Sequence, residues 1–332
     1  MKKFLSLLAI AVSVVLVTGC EKEDDTILIG ANIYNFADNF MNGVVQPALK
    51  ETAAGYANVE LEIVDSENQQ SKLNDQVDVF IDKGVDVLAI NLVDPAAAST
   101  IIAKAKAADI PLILFNKEAS KEAMAEYDKV WYVGTQSKDA GVIQGEMMAA
   151  AWLANPAWDL NGDGVAQYVL LKGEPGHPDA EARTEWAVKT MNSEGVQTEE
   201  LELQTGMWAT DQAKNIMDAW LSAHTDIELV ITNNDGMAFG AYASMEGANT
   251  FLPLFGVDAL AQALTMIGDG QMQGTVLNDG VNQAAATIQL AVNAALGNDV
   301  TEGTDWVIQT DGTKAVRVPY VAVTPENYTE FQ

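Results

Sequence analysis

Polar and aromatic side chains gather where a series of predicted strands ends. They occur at Asp38-Asn39-Phe40, 91–94, Asn116-Lys117-Glu118, His177-Pro178-Asp179, Asn233-Asn234-Asp235, Asp258 and Asn278, with Arg183 close by and Trp208 after the strand at 196–204. The carboxyl ends of parallel strands share one edge of a sheet, where open α/β sheets bind ligands. We therefore expect these side chains to form one binding cleft.

This set of side chains suits a neutral ligand that carries several hydroxyl groups. A hydroxyl both donates and accepts, so Asp and Asn can pair with neighbouring hydroxyls in a planar fork. The C–H faces of a pyranose ring stack on Phe or Trp. A phosphate or carboxylate ligand would call for a basic cleft or a glycine-rich loop, and the set has neither. Any single Asn or Asp could instead be a turn residue or a helix N-cap. Asp179, however, lies four residues before Arg183, on the same helix face.

A second constellation resembles the start of an EF-hand calcium loop. Asp159, Asn161, Asp163 and Gln167 stand at loop positions 1, 3, 5 and 9, with glycine at position 6, and Val165 would supply the carbonyl of position 7. Position 12 is Leu170, inside a predicted strand, so the bidentate carboxylate has to come from elsewhere. The alternative is a polar turn rich in Asp and Gly.

Strands and helices alternate from Thr26 onward. The first set of strands is predicted at 26–33, 59–64, 85–93 and 111–115, with helices at 39–50, up to Lys83 and at 95–108. Gly84 predicts a helix C-cap and Pro95 a helix start. The strands are apolar runs, as expected for parallel strands covered on both faces.

The pattern then starts again. Strands are predicted at 131–135, 167–173, 196–204, 228–234, 252–258 and 274–278, and helices at 137–154, 179–194, 210–223, 235–247 and from about 259. A helix at 280–296 and a strand around 315–323 follow, and the pattern alone leaves the return path of the chain open. Two such sets predict an α/β protein with two doubly wound, Rossmann-like lobes and a cleft between them.

The first nineteen residues predict an export signal. Lys2 and Lys3 precede an almost wholly apolar run at 4–17, which is too short for a membrane span and fits a signal peptide. Small residues lead directly to Cys20, a pattern that resembles the bacterial lipobox. We expect Cys20 to be lipidated and to anchor an extracytoplasmic protein through a charged tether at 20–25. The alternative is an ordinary signal peptide with a chance cysteine.

Composition excludes one class of partner. The formal net charge is −29, and so acidic a surface repels the phosphate backbone of nucleic acids. The chain has one cysteine, which leaves no disulfide to stabilise the fold. No later apolar stretch approaches the length of a transmembrane helix.

Several segments together resemble the D-galactose/D-glucose-binding proteins of the periplasmic binding protein superfamily. They are AINLVDPAAA (89–98), VLLKGEPGHPDAEAR (169–183), NND (233–235), FGVDAL (255–260) and GTVLND (274–279). The resemblance covers about 26–323. It implies the type I fold, in which two lobes joined by three crossing segments close over one sugar. We place the first lobe at 26–134 and 279–314 and the second at 135–278 and 315–332.

The resemblance also implies the roles of individual residues. The implied sugar ligands are Asp38, Asn116, His177, Asp179, Arg183, Asn234, Asp258 and Asn278, with Phe40 and Trp208 on the two faces of the ring. The remote bidentate ligand of a structural calcium ion falls on Glu228. The implied partner is a membrane ABC permease, a chemoreceptor or both, served by a monomeric receptor. The chain departs from the family in its lipobox and in Pro47, which should kink the first helix or shift its start.

Three alternatives come from other classes of protein. Asp38, Asp179 and Asp258 could serve a glycosidase that uses two carboxylates. Each is already a candidate partner of a sugar hydroxyl, however, and Arg183 would keep Asp179 ionised, which makes it a poor general acid. A transcription regulator of the related repressor type would begin with a basic helix-turn-helix, where this chain has an export signal. A sensor subunit would bind the same sugar.

Overall fold

A computed structural model describes residues 26–332 of the chain. The predicted signal peptide, Cys20 and the whole of the predicted tether therefore lie outside the described residues. Within them, the strands are β1 Ile27–Ile33, β2 Val59–Asp65, β3 Val87–Ile90, β4 Leu112–Phe115, β5 Val130–Gly134, β6 Val165–Lys172, β7 Gln197–Thr205, β8 Leu229–Thr232, β9 Leu254–Phe255, β10 Thr275–Leu277, β11 Ala315–Arg317 and β12 Val321–Val323.

The helices alternate with these strands. They are α1 Gln46–Ala54, α2 Gln70–Lys83, α3 Ala98–Ala107, α4 Lys121–Met124, α5 Ser137–Ala154, α6 Pro178–Ser193, α7 Thr210–Ala223, α8 Asp235–Gly247, α9 Ala261–Gly268 and α10 Gly280–Leu296. Gly84 ends α2 in the left-handed region at φ 71°, as its position predicts. Residues 26–332 contain no helix long and apolar enough to cross a membrane.

The first lobe is built on a six-stranded parallel sheet in the order β11-β5-β4-β3-β1-β2. Its central strands β3 and β4 are buried along their whole length, because helices cover both faces. The apolar side chains of this sheet and its helices form one continuous core.

The second lobe is built on the parallel order β7-β6-β8-β9. Parallel bridges from Phe255 to Gly274 and from Asp258 to Leu277 extend this sheet to β10, and β12 pairs antiparallel with β10. Two apolar clusters form its core. The predicted fold class, two doubly wound α/β lobes, is confirmed.

The chain crosses between the lobes three times, after β5, β10 and β11. The predicted boundary at the last crossing is wrong, because residues 315–317 pair with β5 in the first lobe instead of belonging to the second. The predicted single strand at 315–323 is also wrong. Pro319 has no N–H to donate to a sheet ladder, and the chain there leaves one sheet before it joins the other.

The predicted effect of Pro47 takes the form of a π-helical turn. Residues Met41–Val45 form this turn, and the N–H of Gln46 donates to the carbonyl of Met41, five residues earlier. A proline ring collides with the carbonyl four residues before it, so a wider turn ahead of Pro47 relieves that contact. The regular helix α1 then begins at Gln46, with Pro47 in its first turn.

Candidate functional site

The eight implied sugar ligands and the two implied stacking rings all line one cavity between the lobes. The space between these side chains is about 320 Å³, part of which is open to solvent. Two further lining residues, Tyr34 and Met41, were missed by the sequence analysis. Tyr34 directly follows β1 at the carboxyl edge of the sheet, and this position could have predicted that it lines the cavity.

Tyr34 fixes the carboxylate of Asp38. The Tyr34 hydroxyl donates to Asp38 Oδ2 at 2.6 Å, and the N–H of Met41 donates to Oδ1 at 2.8 Å. Burial raises the pKa of Asp38, and these two hydrogen bonds together with the charge of Lys117 oppose that rise. The carboxylate is therefore held in one orientation at the start of the π-helical turn.

Asn116 is positioned by a buried asparagine. It follows β4 with φ 63°, in the left-handed region that Asn tolerates better than most residues. Asn91 Nδ2 donates to Asn116 Oδ1 at 3.2 Å, and Asn91 Oδ1 accepts the N–H of Tyr34 at 3.0 Å. Asn91, one of the predicted strand-end residues, thus supports two cavity residues from behind.

The start of α6 carries three cavity residues. His177 is the N-cap, because its Nδ1 accepts the N–H of Asp179 at 3.1 Å. Burial lowers the pKa of His177 to about 4, so the imidazole is neutral at pH 7. With Nδ1 accepting, the proton resides on Nε2, which leaves His177 a donor for a ligand. The cap role considered for Asp179 falls to His177 instead.

Arg183 is the buried cation of the cavity. It donates to Asp179 at 3.3 Å, to the Tyr320 hydroxyl at 3.0 Å and to the carbonyl of Asn233 at 2.8 Å. Burial lowers the pKa of Arg183, but Tyr320, Asp179 and Asp258 outweigh that effect and raise the pKa above its ordinary value. Tyr320, which the sequence analysis did not single out, comes from the third crossing segment.

Asp258 has an unusual backbone conformation that a neighbouring carboxyl supports. Its φ is 123°, and the next residue, Ala259, is also at positive φ. Asp235 Oδ2 accepts the N–H of Leu260 at 2.9 Å, and Thr275 donates to Asp235 Oδ1 at 2.7 Å. Burial raises the pKa of Asp258 well above its ordinary value and that of Asp235 to about 7.

Amides complete the second-lobe side of the cavity. Asn278 Nδ2 donates to Asp258 Oδ1 at 3.2 Å, and Gln283 donates to Asn278 Oδ1 at 2.7 Å. Asn234 Oδ1 caps α8 through the N–H of Met237, and its amide nitrogen donates to the carbonyl of Trp208 at 3.3 Å. Asn234 therefore combines the cap role with a place in the cavity.

Two aromatic rings line the cavity, and two buried N–H groups of its residues have no hydrogen-bond partner in the described part of the chain. Phe40 and Trp208 line the cavity as apolar surfaces, and Gly173 lets the Trp208 ring lie against the backbone, where a Cβ would come within 2.2 Å of it. Among residues 26–332, no hydrogen-bond acceptor pairs with Trp208 Nε1 or Arg183 Nε, although both are buried. A ligand that brings oxygen atoms into the cavity would satisfy such donors.

The predicted cation loop lies at one end of the second lobe. Asp163 Oδ2 lies 3.0 Å from both Asn161 Nδ2 and Gln167 Nε2, and Glu228 accepts the N–H groups of Leu160 and Gln167 at 2.6 and 3.3 Å. Glu228 is therefore brought to the loop from a remote part of the chain. Within residues 26–332, no three His, Cys, Asp or Glu side chains are grouped as a metal site.

Comparison with known proteins points to one family. Residues 29–299 match the periplasmic binding protein domain family. The chain is 50% identical over 305 residues, 91% of each chain, to the D-galactose/methyl-galactoside binding periplasmic protein MglB of Haemophilus influenzae. A putative rhizopine-binding protein of Rhizobium meliloti is 29% identical over the full length of this chain and 99% of its own.

Solved structures share the fold. An ABC transporter solute-binding protein of Bacillus halodurans with bound myo-inositol has a TM-score of 0.78 and 29% identity, covering 93% of this chain and 99% of its own. A periplasmic solute-binding protein of Actinobacillus succinogenes with bound D-allose has a TM-score of 0.79 at 23% identity, covering 92% of this chain and 100% of its own. The second likeness shows the fold alone.

Proposed function

The chain belongs to the periplasmic binding protein family, and on that basis we propose that it binds D-galactose, D-glucose or both between its lobes and delivers the sugar to an ABC importer. The observation that carries the proposal is the meeting of ten side chains from two lobes around one cavity. A relative 50% identical over 91% of the chain is named for D-galactose binding, which supports this class of ligand.

The chemistry of the cavity favours a neutral polyhydroxylated ring over an ionic ligand. Arg183 already has carboxylate partners at 3.3 Å in Asp179 and at 3.9 Å in Asp258, so its charge is not free to neutralise an anion. Sugar hydroxyls can donate to the carboxylates and accept from the unused Arg183 Nε and Trp208 Nε1. The rings of Phe40 and Trp208 supply apolar surface for the C–H groups of the sugar.

We propose that the site binds without catalysing a reaction. A glycosidase needs one protonated carboxyl that can reach the leaving oxygen and a second carboxylate free to attack or to activate water. Asp38 is held by Tyr34 and Met41, and Asp179 by Arg183. Asp258, the third candidate, accepts a hydrogen bond from Asn278 and lies 3.9 Å from Arg183. These contacts suit fixed acceptors for hydroxyl groups more than a proton-transfer pair.

We further propose a structural calcium ion held by Asp159, Asn161, Asp163, Val165, Gln167 and Glu228. Carboxylate, amide and carbonyl oxygens are the donors that calcium prefers. Asn161 and Gln167 now direct their NH₂ groups at Asp163, so their amides would turn to present oxygen to the ion. The burial of Glu228, 1% exposed and in contact with the loop backbone, supports its role as the remote ligand.

The same proposal covers location and partners. We propose an extracytoplasmic, monomeric receptor tethered by a lipid on Cys20, whose partner is an importer, a chemoreceptor or both. The family is periplasmic by name, and the lipobox pattern is the support for the anchor.

Isothermal titration with glucose, galactose and ribose tests the proposal, on protein that begins after Cys20. Tight one-to-one binding of glucose or galactose, with unchanged sugar recovered, is the expected result. Absence of binding by all three sugars, or slow turnover of a glycoside, would contradict it.

A further inference from the structure

An ion pair joins the two lobes beside the sugar cavity. Lys117 follows Asn116 at the end of β4 in the first lobe, and Glu174 follows β6 in the second. Lys117 Nζ lies 2.7 Å from Glu174 Oε2. The side chain of Lys117 is 1% exposed and that of Glu174 19%, so water screens this pair far less than a surface ion pair.

The first lobe surrounds this pair with further partners. Lys117 Nζ also donates to the carbonyl of Val93 at 3.0 Å and lies 3.9 Å from the centre of the Tyr34 ring. Asn68 Nδ2 donates to the other oxygen of Glu174 at 3.2 Å. The carboxylate of Glu174 thus accepts two hydrogen bonds from the opposite lobe.

The ion pair is connected to the sugar cavity through Tyr34. The same tyrosine that lies under the ammonium of Lys117 donates its hydroxyl to Asp38 at 2.6 Å. Asn116, the residue before Lys117, lines the cavity. The arrangement of the lobes that brings Glu174 to Lys117 is therefore the one in which the sugar ligands of the first lobe face the sugar ligands of the second lobe.

We propose that Glu174 and Lys117 are positioning residues that hold the lobes closed and thereby set how slowly the bound sugar leaves. This inference rests on the proposed function. The pair requires the lobes to be in contact, so it and the sugar stabilise the same closed state. Separation of the lobes breaks the contact between Lys117 and Glu174, while Lys117 keeps its first-lobe partners Val93 and Tyr34.

Three variants and a control test this role by isothermal titration and stopped-flow fluorescence with D-galactose and D-glucose. Glu174→Gln keeps the size of the side chain and an acceptor for Asn68, whereas Lys117→Met keeps the apolar stem. The double variant completes a thermodynamic cycle. Glu62→Gln is the matched control, because Glu62 forms an ion pair of 2.7 Å with Lys83 within the first lobe, on its exposed surface.

Glu174→Gln should raise the dissociation constant about tenfold, mainly through faster dissociation, as expected when one partner of a shielded charge pair is removed. The double variant should lose less affinity than the product of the two single losses, and Glu62→Gln should bind like the wild type. Wild-type affinity and dissociation rate in Glu174→Gln would overturn the proposal, and so would losses that multiply independently in the double variant.

A wild-type protein that binds neither sugar would refute the proposed function. The role of the ion pair in lobe closure would then be tested without sugar. Small-angle X-ray scattering of the sugar-free proteins then decides. Glu174→Gln should have a larger radius of gyration than the wild type and Glu62→Gln, because its lobes separate more readily. Equal radii in the three proteins would overturn the proposal in that case.

Discussion

Arg183 and Asp179 stand one turn apart on α6, and their side chains meet inside the interlobe cavity, with 3.3 Å between Arg183 Nη2 and Asp179 Oδ2. The guanidinium extends from there to the Tyr320 hydroxyl at 3.0 Å. One side chain of the second lobe thus connects a cavity carboxylate to the third crossing segment between the lobes.

Asp179→Asn should weaken sugar binding on the order of a hundredfold, within the ~2–5 kcal/mol that truncating a buried charge pair costs. The variant leaves the buried Arg183 with a weaker partner and removes a charged acceptor for a sugar hydroxyl. Isothermal titration measures the change. Glu185→Gln is the control, because Glu185 pairs with Lys189 at the same spacing on the exposed face of the same helix. Equal affinities of the two variants would contradict this role of Asp179.

Trp208→Ala should raise the dissociation constant for the sugar by about ten- to a hundredfold, because it removes the aromatic surface that the C–H groups of the ring would cover. It should also abolish most of the fluorescence change on binding, since Trp208 is the tryptophan that lines the cavity. Trp186→Phe is the control, because Trp186 is half-buried on α6, outside the cavity lining, beside Lys138 and Lys189. A full fluorescence response in Trp208→Ala would show that the ring does not contact the ligand.

Tyr34→Phe tests a cavity residue that the sequence analysis missed. The substitution removes the 2.6 Å hydrogen bond to Asp38 but keeps the ring that lies beside Lys117. Loss of one hydrogen bond to a charged group costs about 1.5–3 kcal/mol, so sugar affinity should fall by roughly ten- to a hundredfold. Titration calorimetry measures it, and Tyr56→Phe on the first lobe is the control. Unchanged affinity would mean that Asp38 keeps its orientation without Tyr34.

The fold was predictable where local patterns and tertiary contacts agree. The helices α5, α7, α8 and α10 have the predicted bounds, and side-chain N-caps at Asn234 and Asp279 mark the starts of α8 and α10. Some strands, such as β3, β8 and β9, are shorter than the apolar runs that predict them. Only Leu254–Phe255 of the run at 252–258 forms β9, because the extent of a strand depends on the partner beside it.

The cavity was predictable as a set of strand ends but not as a network of contacts. Asp258, Asn278 and His177 end or follow strands, and the parallel topology brings such ends together. Tyr320 reaches Arg183 from 137 residues away along the chain, and Asp235 supports Asp258 through Leu260. Those contacts join segments that are distant along the chain, so they depend on tertiary packing, which no local pattern in the sequence encodes.

The titration of His177 should make the folded protein less stable in weak acid. Its pKa is lowered to about 4 by burial, whereas in the unfolded chain it titrates near ~6.5. Between these values the unfolded chain binds more protons, so the free energy of unfolding falls as the pH drops from about 6.5 towards 4. His177→Asn keeps an N-cap acceptor and removes the titration. Urea unfolding of the sugar-free proteins at pH 7 and pH 5 should show a loss smaller by about 1–2 kcal/mol in the variant. Equal losses would contradict a buried, neutral His177.

Removal of calcium should lower the melting temperature by several degrees without abolishing sugar binding at 25 °C. An ion that binds only the folded chain stabilises it by mass action. The proposed site lies at the amino end of β6, whereas the cavity ligands of α6 follow the carboxyl end of that strand. Melting is followed with a chelator, then with calcium or magnesium added back, and only calcium should restore the wild-type value.

Glu228→Gln and Asp163→Asn are the matched variants for this experiment. Each keeps the size of the side chain and removes one negative charge from the proposed calcium site. Both should melt at a temperature that no longer responds to the chelator, while their sugar affinities stay at the wild-type level. If the chelator leaves wild-type melting unchanged and metal analysis finds no bound calcium, the loop is a polar turn. Glu228 then serves only to accept the N–H groups of Leu160 and Gln167.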